Sequence, residues 1–246
     1  MASNNKISSK NKPSFMIVII IIVIILLLVG GYYLYNFLTK DTVSGIKTVD
    51  FIKYIHDAKD YKKISGASIP ASAQGNEYNI NFWMYVNDYT YRYGEMKNVL
   101  NKGEIENEEM SNPGIYLLPT TNTLRVQVGL ETNSLNQCND ATANVNSNPD
   151  DFIDVCDVEN LPLQRWVCVN MSLTNNVIDI FLNGKLHKSC TLRGYPAVNR
   201  GHMHICNDGG FNGFISNVKF SNKALPVSQI EKIYNSGPLL KKGLFN

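Results

Sequence analysis

An unbroken apolar stretch runs from Phe15 to Tyr35, and it limits this part of the chain to one kind of structure. No charged residue interrupts it, and at ~1.5 Å rise per residue a helix of this length spans roughly 32 Å, the thickness of a bilayer's hydrocarbon core. In lipid, a lone segment can satisfy its backbone hydrogen bonds only as a helix. The sequence therefore predicts a single transmembrane helix over residues 15–38, with tyrosines at its exit from the bilayer.

Two other interpretations of this stretch fit less well. A cleaved signal peptide has an apolar region of about 7–15 residues followed by small residues, whereas here the run is longer and the segment from Tyr32 to Phe37 is bulky. A buried core helix of this length would carry polar residues. We therefore predict a single-pass membrane protein whose partner is the lipid bilayer. Lysines flank both ends of the stretch equally, so the orientation stays open.

The rest of the chain divides by composition. A polar tail over residues 1–14 is predicted to be disordered. Phe51, Ile55, Ala58 and Tyr61 recur at helical spacing, which predicts an amphipathic helix in a juxtamembrane stalk. The predicted boundaries are a stalk over residues 39–63, a single domain over residues 64–240 and a short tail over residues 241–246.

The domain itself has the pattern of a β-sandwich. The segment Tyr78 to Val86 alternates polar and bulky residues, as a strand with one buried face does. Asn183-Gly184 between two alternating runs predicts a β-hairpin with a type I′ turn, since both residues tolerate positive φ. Only Val227 to Tyr234 looks helical, between Pro226 and Gly237. Many short strands with one C-terminal helix predict an all-β, antiparallel β-sandwich.

Four segments in this order resemble one family, the concanavalin A-like lectin/glucanase superfamily in its laminin-G and pentraxin-like form. They are Phe82 to Asp88, Trp166 to Val169, Ile178 to Leu186 and Gly210 to Phe220, followed by a closing helix from Ala224 to Gly237. The resemblance implies a concanavalin A-like jelly roll over residues 64–238. The fold hosts lectins, glycosidases and adhesion modules, so it implies no single function.

A narrower resemblance comes from Tyr91-Arg92-Tyr93-Gly94, which is similar to segments in proteins of large DNA viruses of algae and protists. It implies a minor virion protein that joins the capsid to an inner membrane, with capsid proteins as partners.

Glycosidases of the family carry a Glu-x-Asp-x-x-Glu strand, and this sequence has none. Retaining hydrolysis needs two carboxyl groups about 5–5.5 Å apart. We therefore predict no catalytic residues and no enzyme activity.

Calcium is the metal ion, and the one cofactor, that the sequence suggests. Asn87, Asp88, Asn207 and Asp208 lie at predicted strand ends, and calcium prefers six to eight oxygen ligands. The alternative is that these residues only form turns. His202, His204 and Cys206 share one face of a strand but are spaced too widely for one zinc ion.

The chain has five cysteines. None forms a CxxC pair, and an odd number leaves at least one thiol free. Two disulfides are predicted as alternatives to free thiols, Cys138 with Cys156 and Cys190 with Cys206. Asn170-Met171-Ser172 is a glycosylation sequon, used only if its strand face is exposed and the domain is luminal.

These predictions combine into one function. The net charge of +2 gives no argument for nucleic-acid binding. The sequence predicts a non-catalytic structural or recognition module on a membrane, in its most specific form a minor protein of the virion inner membrane. A membrane-anchored lectin that binds glycans is the alternative, and a glycosidase is the third hypothesis.

Overall fold

The apolar stretch forms one helix, α1, over Phe15–Thr39 in the computed structural model of the chain. The structure describes residues 15–39, 45–72, 75–103, 111–131 and 153–239. Within those residues, Ile17–Leu34 is the one segment long and apolar enough to cross a membrane, and all its side chains are exposed. The chain divides into two units, residues 1–44 and 45–246. The predicted tails, residues 1–14 and 241–246, lie outside the described residues.

The second unit consists of two antiparallel sheets that form a sandwich, so the predicted all-β fold is confirmed. Its strands are β1 Thr48–Ile52, β2 His56–Asp57, β3 Lys62–Ile64, β4 Tyr78–Val86, β5 Lys97–Gly103, β6 Gly114–Leu117, β7 Leu124–Gly129, β8 Ile153–Val158, β9 Trp166–Thr174, β10 Val177–Leu182, β11 Lys185–Thr191, β12 His202–Ile205 and β13 Gly213–Ser221. A 3₁₀ turn covers Gly66–Ser68, and a C-terminal helix, α2, covers Val227–Ser236.

Sheet A has the order β1-β13-β4-β9-β10-β11, with β2 also paired to β13, and sheet B has the order β3-β12-β5-β6-β7-β8. The core lies between them. Strand β4 shows why: Ile80, Phe82 and Met84 point inward and are fully buried, because side chains two residues apart share one face of a strand. The outward face of β4 carries Asn79, Asn81, Trp83 and Tyr85.

Helix α2 covers part of the outward face of sheet A. Pro226 precedes it and Gly237, with a φ of 70°, ends it, as predicted. Tyr234 stacks on Trp83 with ring centroids 5.8 Å apart, and Ile230 is fully buried. The hairpin is confirmed too, since Asn183 and Gly184 both have positive φ between β10 and β11.

The predicted stalk helix is wrong. Residues 48–64 form β1, β2 and β3, which pair with β13 and β12 in the two sheets. Ala58 is fully buried, and its backbone N–H donates to the carbonyl of Gly213. The helical spacing of these apolar residues, Phe51, Ile55, Ala58 and Tyr61, is coincidental. The segment pairs instead with the backbone edges of strands β12 and β13. The sandwich therefore begins before residue 64.

The predicted disulfide pairings are replaced by another. Cys156 is bonded to Cys190, with Cα atoms 6.0 Å apart. This bond joins β8, the last strand of sheet B, to β11, the last strand of sheet A. Cys206 is a buried free thiol and does not pair with Cys190. Cys138, the predicted partner of Cys156, lies outside the described residues.

Candidate functional site

Three aromatic side chains form a row on the outward face of sheet A, which we call the aromatic row: Phe214, Tyr85 and Trp166. Tyr85 on β4 is the register partner of Phe214 on β13 and of Trp166 on β9. The ring centroid of Tyr85 lies 5.7 Å from that of Trp166 and 6.4 Å from that of Phe214. Neighbouring strands are about 4.8 Å apart, so the row extends over about 10 Å.

The aromatic row is open to solvent. Phe214 is 37% exposed, and Tyr85 and Trp166 are half-buried. The next outward residue along β4, Trp83, is only 5% exposed because Tyr234 of α2 stacks on it. Aromatic surface is costly to leave in water, so an open row beside a covered tryptophan is a candidate binding surface.

Polar side chains lie at the end of the strands that carry the aromatic row. Asn87 follows β4 and Asn212 precedes β13; the Asn87 Nδ2 donates to the Asn212 Oδ1 over 3.3 Å. The Asn212 Nδ2 in turn donates to the Asp88 Oδ2. Asp88 Oδ1 also accepts the Thr90 hydroxyl at 2.7 Å, and this bond lowers the pKa of the Asp88 carboxyl below its ordinary value. We call Asn87, Asp88 and Asn212 the Asn–Asp cluster.

The four residues predicted to bind calcium all form hydrogen bonds within the protein, and the calcium site itself stays a prediction. Asp88 Oδ1 accepts the Thr90 hydroxyl and the N–H groups of Thr90 and Tyr91, as in a turn. Asp208 Oδ2 instead accepts the Arg92 guanidinium at 2.8 Å, and the Asn207 N–H donates to Asn98 Oδ1. The hydrogen bond from Arg92 to Asp208 raises the pKa of Arg92 above its ordinary value.

The positive charge between these loops is therefore the guanidinium group of Arg92. Across the described residues, no three His, Cys, Asp or Glu side chains converge as metal ligands would. His204 fits that finding: its Nδ1 bonds to the Tyr61 hydroxyl at 2.6 Å, and its Nε2 donates to the carbonyl of Gly103.

The predicted glycosylation site is not accessible in this fold. Asn170 is 1% exposed on the outward face of β9, and its Nδ2 donates to the Asn79 Oδ1 at 3.1 Å. A glycan could reach Asn170 only before the sheet forms. Asp179 on β10 accepts the hydroxyl of Ser189 at 2.6 Å. The prediction that the domain is not an enzyme stays a prediction.

A pocket of about 630 Å³ lies elsewhere in the domain. Its wall includes the segment around the 3₁₀ turn, the start of β4, the end of β5 and the connection between β11 and β12. Tyr78 and Asn112 meet there, with the Tyr78 hydroxyl donating to the Asn112 Oδ1 at 2.7 Å. The apolar part of the lining comprises Ala67, Ile69, Pro70, Ala71, Ala197, Val198 and Phe220.

Lys102 is one of three charged residues in the lining of this pocket. It is only 8% exposed, and its Nζ donates to the carbonyl of Asn199. The Asn199 Nδ2 donates back to the Lys102 carbonyl at 2.8 Å, which holds the two segments together. Burial lowers the pKa of the Lys102 ammonium to about 8, since desolvation disfavours the charged form.

Sequence reasoning named Asn87 and Asp88 but missed the aromatic row and Lys102. Tyr85 and Trp166 were predicted as strand residues, but the register that joins them to Phe214 comes from segments far apart in the chain. Lys102 lies in β5, whose residues Lys97 to Gly103 are largely polar and gave no strand signal. The local hint of burial in β5 is the apolar pair Val99-Leu100, which lies between Lys97 and Lys102 in the sequence.

Comparisons with known proteins agree with this architecture. A sequence model of the concanavalin A-like lectin/glucanases superfamily matches residues 57–231. No curated protein matches the chain in sequence. Among solved structures, the receptor-binding domain of botulinum neurotoxin C/D mosaic serotype is similar, with a TM-score of 0.55 and 10% identity, over 78% of this chain and 46% of that one.

Two further neurotoxin structures are similar to a like degree. The serotype D ligand-binding domain in complex with N-acetylneuraminic acid has a TM-score of 0.55 at 10% identity, over 79% of this chain and 47% of that one. The serotype D binding domain has a TM-score of 0.51 at 11% identity, over 78% and 46%. The chain spans less than half the length of these structures. At such low identity the likeness shows the fold alone.

Proposed function

The chain belongs to the concanavalin A-like lectin/glucanase superfamily, and from that premise we propose that its domain is a non-catalytic carbohydrate-binding module held at a membrane by α1. The observation that carries the proposal is the aromatic row beside the Asn–Asp cluster. The apolar C–H faces of a sugar ring pack on aromatic side chains, and its hydroxyl groups pair with amide and carboxylate groups at the rim.

The dimensions of the aromatic row suit a short oligosaccharide. Three rings over about 10 Å, on three strands at about 4.8 Å spacing, offer contacts to two or three linked sugar rings. The rings of Tyr85 and Trp166 are inclined at 62° to each other. A curved or branched glycan fits such a surface better than a flat, crystalline polysaccharide does.

The neurotoxin domains give further support for the ligand class. One of them was solved in complex with N-acetylneuraminic acid, so a domain that includes this fold can take a carbohydrate ligand. The sequence carries no Glu-x-Asp-x-x-Glu strand, which favours binding without hydrolysis. The glycan that this chain takes is set by its own surface, because the likeness extends to the fold alone.

Trp166→Ala is expected to weaken glycan binding at least tenfold, because it removes the largest ring of the aromatic row and large aromatic contacts dominate binding energies. The measurement is a glycan array with the full chain, followed by titration of the best ligand. Tyr195→Ala is the matched control, since Tyr195 is an aromatic residue with 61% exposure outside the aromatic row. Equal binding by the wild type and Trp166→Ala, or no binding to any glycan, would contradict the proposal.

Display from a membrane rests on α1, whose described side chains are exposed and apolar. The disulfide between Cys156 and Cys190 supports a location of the sandwich on the oxidising side of the membrane, since such bonds persist in oxidising compartments. The proposed topology therefore places the N-terminal tail in the cytosol and the sandwich in the lumen or outside the cell, which the lysine count had left open.

In sealed microsomes, we expect the sandwich to resist added protease and to be digested once detergent opens the vesicles. Alkaline carbonate should leave the chain in the membrane pellet, since α1 spans the bilayer. A matched control chain that lacks residues 15–38 should be released by the same treatment. Digestion of the sandwich without detergent would overturn the proposed side.

The minor virion protein stays a prediction that rests on the Tyr91 to Gly94 resemblance. In the structure, Tyr91 donates its hydroxyl to the Gly209 carbonyl at 2.9 Å and Arg92 pairs with Asp208. Both residues thus join two loops of the same domain, which favours a role in folding over a capsid contact. Mass spectrometry of purified particles is the direct test, and absence of the chain would rule this role out.

A further inference from the structure

Two lysines on β5 are buried, and their surroundings differ. Lys97, 1% exposed, donates to the carbonyls of Glu95 at 3.2 Å and Pro119 at 3.3 Å, and its Nζ lies 4.9 Å from the centroid of the Tyr89 ring. The fold thus supplies two carbonyl acceptors and an aromatic face to the Lys97 ammonium. A buried cation normally needs such compensation.

Lys102 has less compensation at the other end of the strand. Its ammonium has three donor hydrogens, and the carbonyl of Asn199 accepts one of them. Within the described ranges, no carboxylate lies within ion-pair distance of Lys102. Unlike Lys97, it lines a pocket of about 630 Å³. In the part of the chain that the structure describes, the charge of Lys102 has no ion pair, and Lys102 lines a space large enough for a small molecule.

The rest of the lining defines the ligand that would complement this charge. Glu77 and Arg200 are the other charged residues on the wall, so its formal charge with Lys102 is positive. Half of the remaining residues on the wall are apolar, and Val198 among them is 67% exposed. An apolar side chain that is exposed at a pocket loses contact with water when a ligand with an apolar body covers it.

We propose that this pocket binds a small organic carboxylate with an apolar body, whose carboxylate pairs with Lys102 and whose body packs on Ile69, Pro70 and Val198. The site is separate from the aromatic row and does not rest on the proposed glycan binding. A carboxylate suits it because a charge-assisted hydrogen bond is strongest where water is excluded. Inorganic phosphate fits poorly, since it lacks the apolar body.

Binding at this site depends on pH. The pKa of Lys102 is about 8 in the free protein, so the ammonium is present at pH 7 and is lost as the pH rises through 8. The ligand stays ionised over this range. The other charged or ionisable residues on the wall are Glu77, Arg200 and Tyr78. Burial raises the pKa of the Tyr78 phenol well above its ordinary value. Affinity therefore falls with increasing pH.

The test compares cyclohexanecarboxylate with cyclohexanecarboxamide, which has the same shape and no charge. Both are titrated by saturation-transfer NMR into the full chain in nanodiscs, with empty nanodiscs as the blank. We expect the carboxylate to bind at least tenfold more tightly than the amide at pH 7, and to lose at least tenfold in affinity at pH 9.5. Inorganic phosphate at the same concentration should not displace it.

Lys102→Met should abolish the preference for the carboxylate, whereas the matched control Lys97→Met should keep it. Lys102→Arg provides a variant that retains the charge: it should still bind the carboxylate and should lose the pH dependence, because a guanidinium does not titrate in this range. The proposal is overturned if the carboxylate and the amide bind equally, if neither binds, or if Lys102→Arg keeps the pH dependence of the wild type.

Discussion

Replacing Cys156 and Cys190 together with alanine is expected to lower the free energy of unfolding by about 4 kcal/mol, the entropic value for a loop of this length. The two cysteines are 34 residues apart in sequence. Their bond joins the last strands of the two sheets, where Lys188 also donates its Nζ to the carbonyl of Asp157 at 2.7 Å. Without the bond, the contacts between the two sheet edges are all non-covalent, among them the salt bridge from Arg193 to Asp154.

Urea denaturation followed by tryptophan fluorescence measures this loss as a lower midpoint with a similar slope. Dithiothreitol should shift the wild type by the same amount and leave the double variant unchanged. Peptide mapping under non-reducing conditions provides a second readout of the bond between Cys156 and Cys190. A midpoint that does not respond to the reductant, or a mapped bond between Cys190 and Cys206, would contradict the structure.

Gly210→Ala is expected to destabilise the domain by at least about 3 kcal/mol, because it combines a positive φ with overpacking. A Cβ on Gly210 would lie 1.9 Å from the carbonyl oxygen of Ala58 and 2.9 Å from the Cβ of Cys206. The Ala58 carbonyl also accepts the N–H of Phe211 at 3.1 Å. The new methyl group would therefore separate the N-terminal strands from the loop before β13.

Gly209→Ala is the matched control, since Gly209 also has positive φ, +71° against +49° for Gly210. The atoms nearest to a Cβ on Gly209 would be the ends of two side chains, the Tyr91 hydroxyl at 3.2 Å and an Arg92 nitrogen at 3.3 Å. Such side chains can move, so we expect a loss of about 1 kcal/mol from the backbone alone. Thermal melting of both variants distinguishes the two effects, and equal melting temperatures would show that the close approach to Ala58 is unimportant.

Several elements could be predicted because their signals are local. The turn at Asn183-Gly184 needs two residues that tolerate positive φ, and both are adjacent in the chain. Strand β5 could not be predicted in this way, because Lys97, Asn101 and Lys102 read as surface residues yet are at most 8% exposed. Their burial depends on neighbouring strands and connections that lie far away in sequence.

The candidate sites show the same division. Asn87 and Asp88 could be named from their position at a strand end, but the salt bridge between Arg92 and Asp208 could not, because it joins residues 116 positions apart. The aromatic row depends on the register of β4 with β9 and β13, and each of these pairings joins residues about 80 or more positions apart. No local pattern carries such information.

By itself, the sequence determined the apolar helix, the alternation of the long strands, the hairpin turn and the closing helix, since each follows from the intrinsic preferences of neighbouring residues. Only the tertiary structure decided that residues 48–64 pair as strands, that Cys156 bonds to Cys190 and that Asn170 is buried. It also decided that the aromatic row is exposed to solvent and that Lys102 lines a pocket. The physical reason is that strand pairing, disulfide formation and desolvation depend on distances between segments, and these distances exist only once both sheets have formed.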